Sequence, residues 1–221
     1  MFHSRVPQST DALGQFLATV ARLTSSRKVR PVVTPSGKRA RGNFPSIKAP
    51  TRARYESLLE LDVLRVVEVS SKIRVVRTHP AVLALPGERP LLYTPDAQLE
   101  WHDGGALLEA KAAYFLTLEP SRARVKEVVA RLREAGLTLL LVIESDVRPA
   151  GLQSELKELL RLRPSAGRHR SFLDADRWDP LGASLVDPDS ERRWHAAQRV
   201  CDELLQRVMR RDPDQLIAAT C

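Results

Sequence analysis

The spacing of apolar residues changes several times along the chain, and each change marks an element. Leu13, Phe16, Leu17, Val20 and Leu23 recur at helical intervals and predict a helix over residues 10–25. Residues 26–51 lose that period and gain Pro31, Pro35, Gly37, Gly42, Pro45 and Pro50, which predicts extended loop. A helical stripe returns over residues 52–70, carried by Tyr55, Leu58, Leu59, Val63, Val66 and Val67. The period then drops to two. Residues 73–77, 91–94, 97–101 and 106–112 read as short strands, with His102-Asp103-Gly104-Gly105 turning between the last two. Residues 122–135 form a helix ended by Gly136, and the apolar run 137–143 suits a strand buried on both faces. Residues 152–163 and 189–211 are two further helices. The order helix, strands, helix, strand, helix predicts an α/β fold, a mixed sheet covered by helices on both sides.

Composition narrows the class. The chain has 221 residues, 43% of them hydrophobic and 28% charged, a globular balance that excludes whole-chain disorder. That length can bury a sizeable core without disulfides or metals. It divides naturally into an arm (1–51, a helix followed by basic loop), a core (52–163) and a small helical C-terminal appendage (164–221). Two cysteines, Cys201 and Cys221, are too few for a disulfide scaffold and too isolated for a zinc cluster, so a reducing cytoplasm is expected. The apolar runs are far shorter than a membrane span, and no apolar stretch follows Arg5 as a secretory leader requires.

Charge is unevenly distributed. Residues 1–54 hold eleven Lys/Arg against one acid, Asp11, for a net of +10, whereas residues 55–221 hold 24 Lys/Arg against 26 Asp/Glu, for a net of −2. Arg27, Lys28, Arg30, Lys38, Arg39, Arg41, Lys48, Arg52 and Arg54 recur through a Pro/Gly/Ser-rich stretch too polar to fold alone. Such a segment suits a polyanion, with double-stranded DNA and counterion release the usual case; the plainer reading is a solvated tail.

The candidate chemistry lies in the core. Glu109 and Lys111 are two apart on a predicted strand and share a face. Asp96 follows Pro95 at the start of the preceding strand, so a hairpin would bring it near Glu109. Glu56 and Glu60 are four apart on a predicted helix and share a face there. Two or three carboxylates beside one lysine suit a hard cation such as Mg²⁺, with the lysine placed to stabilise charge on a phosphate. Singly, each group has a plainer reading as a surface ion pair, a turn residue or a solvated helix edge. The signal lies in their joint order behind a basic arm.

That order resembles the PD-(D/E)xK nuclease signature. The blocks Arg41-Gly42-Asn43-Phe44-Pro45-Ser46-Ile47-Lys48, Tyr55-Glu56-Ser57-Leu58-Leu59-Glu60-Leu61-Asp62, Tyr93-Thr94-Pro95-Asp96 and Leu108-Glu109-Ala110-Lys111 are similar to the N-terminal catalytic domain of TnsA-type transposon endonucleases, over roughly residues 37–163. The resemblance extends to Glu144-Ser145-Asp146-Val147-Arg148. It implies a restriction-endonuclease-like fold, with Glu60, Asp96 and Glu109 as metal ligands, Lys111 as the catalytic lysine and Glu56 in support. It further implies Mg²⁺, replaceable by Mn²⁺, and cutting of the 5′ non-transferred strand at the ends of a mobile element. The implied partners are a DDE-type transposase and an ATPase regulator. The chain departs from the family in having His79-Pro80 where Gln-Pro is common and Ala97 where Phe often follows the aspartate. Residues 164–221 are also short for the family's C-terminal winged-helix-like domain. The residues alone leave open a stand-alone restriction-like or phage nuclease, or a non-catalytic DNA-binding scaffold. No phosphate-binding glycine loop, dinucleotide motif or nucleophile elbow competes with these readings.

Overall fold

The computed structural model describes residues 10–29, 40–162 and 188–220. Helix α1 (Thr10–Leu23) is followed by a small antiparallel pair, β1 (Gly42–Phe44) and β2 (Ala53–Tyr55). Then come α2 (Leu58–Val69), β3 (Val75–Thr78), β4 (Leu83–Leu85), β5 (Leu91–Tyr93), β6 (Ala97–Trp101) and β7 (Gly104–Ala110). The chain continues through α3 (Ala113–Thr117), α4 (Glu119–Glu134), β8 (Leu139–Val142), α5 (Glu144–Val147) and α6 (Leu152–Leu162). The C-terminal segment adds α7 (Pro188–Arg210) and α8 (Pro213–Ala219). Among the described residues no helix is long and apolar enough to cross a membrane.

The main sheet is mixed, with order β3-β6-β7-β8: the first three strands are antiparallel, and β8 joins β7 in parallel through the α4 crossover. Strand alternation sends side chains to opposite faces and so builds two cores. On one face Ala97, Leu99, Ala106, Leu108, Leu140 and Val142 meet the buried sides of α2, α6 and α7. On the other, Leu107, Leu139, Leu141 and Ile143 meet α1, α4, α8 and the β4–β5 pair. A mixed sheet flanked by helices on both sides is therefore the observed architecture, as the pattern predicts. β8 is buried at all four positions, as expected of a strand covered on both faces.

Three local expectations are corrected. The helix anticipated from residue 52 begins only at Leu58; Tyr55 belongs to β2. Ser57 is extended (φ −148°, ψ 160°) and caps the helix by accepting the Glu60 N–H, while its hydroxyl donates to Glu60 Oε1 at 2.9 Å. Glu60 Oε2 accepts the Glu56 N–H at 2.7 Å, so Glu56 lies outside the helix and shares no helical face with Glu60. Second, α1 is seated on the sheet and contributes Phe16, Val20 and Leu23 to the core rather than belonging to a loose arm. A Cβ on Gly105 would lie 2.4 Å from the Phe16 ring, so a side chain there would collide with the seated helix. Third, residues 188–220 do not stand apart as an appendage. Trp194, Cys201, Leu204, Leu205 and Val208 of α7 complete one core, and Leu216 and Ile217 of α8 complete the other. Between the two helices, Arg211 donates to both oxygens of buried Asp146 (2.7 and 2.6 Å) and to the Leu141 carbonyl (2.7 Å), fastening the segment to β8.

Candidate active site

The acids expected from sequence converge where the end of β7, the start of β6 and the N-terminus of α2 meet. The register pairs Ala97 with Leu108, so one step further Asp96 faces Glu109. Asp96 Oδ2 accepts the Ala110 N–H at 2.8 Å, which fixes that carboxylate against the β7 backbone. Lys111 lies one residue beyond β7, but its N–H still donates to the Val142 carbonyl at 2.9 Å and keeps it aligned with β8. Its Nζ lies 3.0 Å from Glu109 Oε1. The chain beyond is held by the Ala113 N–H donating to Glu144 Oε2 at 2.9 Å.

Two residues that sequence reading did not assign to the site belong to it. The buried Tyr93 hydroxyl donates to Glu109 Oε2 at 3.0 Å, so both carboxylate oxygens of Glu109 are engaged. His79 follows β3, and its N–H extends the ladder to the Asp96 carbonyl at 2.9 Å. Its Nε2 is 3.7 Å from Glu60 Oε2, and its buried Nδ1 has no hydrogen-bond partner among the described residues. One donor atom each from Glu60, His79 and Asp96 lie within 4.8 Å of one another. The available signals were the difference of His79-Pro80 from the Gln-Pro common in the family the sequence resembles and the place of Tyr93 within the block ending at Asp96. Neither separates a ligand from a packing residue without the strand register.

The electrostatics are those of a negative cluster short of positive charge. Burial, then the neighbouring charges of Glu109 and Glu60, raise Asp96 well above the usual carboxylate range, against the opposing pull of the Ala110 N–H and Lys111. Burial also raises Glu60, partly offset by the Glu56 N–H and the Ser57 hydroxyl. Burial lowers His79, which favours the neutral imidazole and leaves a nitrogen lone pair available for coordination. Tyr93 is raised well above its ordinary value, by burial first and then by Glu109, and stays a hydroxyl donor. Three carboxylates against one lysine, with an imidazole lacking a partner at Nδ1, fit a divalent cation held by Glu60, His79 and Asp96. Glu109 lies beside this set, fixed by Tyr93 and Lys111.

The basic residues divide. Arg27, Lys28, Arg52 and Arg54 are exposed, and Arg41 is half-buried. The Arg54 charge reaches the site, where it opposes protonation of His79. Arg30, Lys38 and Arg39 lie outside the described residues. Lys48 is corrected: it is 3% exposed, and its ammonium donates to the Val67 carbonyl at 2.8 Å and to the Ser70 carbonyl. It neutralises the C-terminal end of α2 and is spent there, not on a phosphate. Neither protein-family models nor curated proteins give a match to this chain.

Proposed function

We propose that this protein is a divalent-metal-dependent DNA endonuclease of the PD-(D/E)xK type. The observation that carries the reading is the meeting of Glu60, Asp96, Glu109 and Lys111, from three separate elements, at one end of the mixed sheet. A bound divalent ion would supply Lewis-acid polarisation of the scissile phosphate and an activated water. Glu60 and Asp96 would hold it. Glu109, fixed by Tyr93, keeps Lys111 at the rim of the cluster, where its ammonium can meet negative charge developing on the phosphate. Exposed Arg52 and Arg54, with the basic residues of the arm, would hold the flanking DNA backbone.

The finer reading is a TnsA-type element-end nuclease, supported by the four sequence blocks in order. It would cut the non-transferred strand beside a DDE-type transposase, under an ATPase regulator. The test is strand nicking of DNA with Mg²⁺ or Mn²⁺, by the protein alone and with a DDE-type transposase subunit supplied. Lys111→Ala should lose about 10²–10³ in rate, or ~3–4 kcal/mol, the loss typical of one preorganised electrostatic group. DNA affinity should stay within about threefold, because backbone contacts elsewhere dominate it. Cutting that appears without a transposase would favour a stand-alone nuclease. An alanine variant that cuts as well as wild type in the reconstituted mixture would leave a scaffold.

A further inference from the structure

The three donor atoms that come together are not the three carboxylates. Glu60 and Asp96 contribute oxygens, but the third donor is the His79 imidazole, while Glu109 is occupied by Tyr93 and Lys111. We propose that His79 Nε2 is a metal ligand, and that this two-carboxylate, one-imidazole set makes the site favour Mn²⁺ over Mg²⁺. The inference rests on the same cluster being a metal site and adds the identity of its third ligand and its ion preference.

The argument is geometric. His79 has φ 46°, a left-handed conformation uncommon for a residue with a side chain. Its N–H is pinned to the Asp96 carbonyl at 2.9 Å, which ties the backbone of one prospective ligand to that of another. The ring is largely enclosed, with 11% of the side chain exposed, yet Nε2 stops 3.7 Å from Glu60 Oε2, too far for a hydrogen bond. Nδ1 is buried with no partner among the described residues. Nε2, beside two carboxylates and short of a hydrogen bond, has its lone pair met by an ion drawn there, with the ring proton then carried on Nδ1. Mg²⁺ demands oxygen ligands in near-ideal octahedral geometry and gains little from imidazole, whereas transition-metal ions accept nitrogen readily. One nitrogen in the set therefore tilts the site toward Mn²⁺.

Mn²⁺ and Mg²⁺ alone, titrated calorimetrically into the full chain without DNA, test this. Wild type should bind Mn²⁺ about tenfold or more tighter than Mg²⁺, and pulsed electron paramagnetic resonance of the Mn²⁺ form should show nitrogen coupling. His79→Asn, chosen because asparagine tolerates positive φ, should lose that coupling and most of the Mn²⁺ preference while Mg²⁺ affinity moves by less than about threefold. Asp96→Asn should weaken both ions. Equal wild-type affinities, Mn²⁺ bound without nitrogen coupling, or a preference that survives His79→Asn would each overturn the proposal. If the asparagine variant does not fold, as circular dichroism would reveal, the wild-type coupling and affinity ratio decide alone. Nitrogen-coupled Mn²⁺ in a protein that cuts no DNA would support this inference and remove the nuclease reading. Metal-dependent cutting with no nitrogen coupling would do the reverse.

Discussion

Asp96 carries conflicting demands. Its carboxylate accepts one backbone N–H, yet it is enclosed and faces Glu109 and Glu60. Raised well above its ordinary value of 3.8, it takes up a proton on folding across the interval between its unfolded and folded values. Its contribution to stability is therefore fully present below the unfolded value and is lost as pH rises through the folded one. In metal-chelated buffer, Asp96→Asn should be about 1–2 kcal/mol more stable than wild type at about pH 8, with the difference gone near pH 4. Urea unfolding of both proteins at the two pH values measures this, and a gap independent of pH would contradict it. Lys48 shows the opposite resolution: a buried ammonium is tolerated because the Val67 and Ser70 carbonyls at a helix end receive it.

At the scale of elements, the site depends on segments that supply none of its acids. β8 holds Lys111 through the Val142 carbonyl, and Arg211 holds the surroundings of that strand through Leu141 and Asp146. Asp146 also caps its own short helix by accepting the Ile143 N–H at 2.9 Å. Arg211→Ala would strand a buried carboxylate, and the usual cost of breaking such a pair is about 3–5 kcal/mol. Asp146→Asn in the same background should recover part of that loss, since the uncompensated charge goes with it. Thermal melts of the single and double variants test the coupling, and purely additive losses would deny it. On the other face, Gly105 leaves the space that the Phe16 ring fills.

Over the whole molecule, positive charge gathers in the first quarter of the sequence and the acids gather at one end of the sheet. Residues 1–54 carry a net of +10 and the remainder −2. Since α1 is built into the core, the charge proposed to meet DNA is best removed by substitution rather than by truncation. Replacing Arg27, Lys28, Arg30, Lys38 and Arg39 with glutamine should flatten the dependence of log K on log[salt] by about 4–5, at roughly 0.9 for each phosphate that is no longer neutralised. The change should be the same for every DNA sequence, because backbone contacts carry no base information. Fluorescence anisotropy across a salt series reads the slope directly. An unaltered slope would make this stretch a solvated tail.

What the sequence determined by itself was whatever a local period or a local charge count encodes. Alternation marked β6 and β7, the 3.6-residue stripe marked α4, α6 and α7, and an unbroken apolar run marked the doubly covered β8. Of the three-residue strands, β5 was read within residues 91–94, while β1, β2 and β4 escaped, as did the short α3, α5 and α8, because so few residues leave little period to read. The start of α2 was misplaced because an apolar stripe does not register the side-chain cap that ends it. Acid and lysine types in order also suggested which groups could share a site. Tertiary structure alone decided which of them meet, because that depends on strand register and on the positions of α2 and β3, set by cores assembled from distant segments. It placed His79 beside Glu60 and Asp96, engaged Glu109 with Tyr93, buried Lys48 under a helix end and drew the C-terminal helices into both cores. Each of these is a contact between residues far apart in the chain, and neither periodicity nor composition carries information about such pairs.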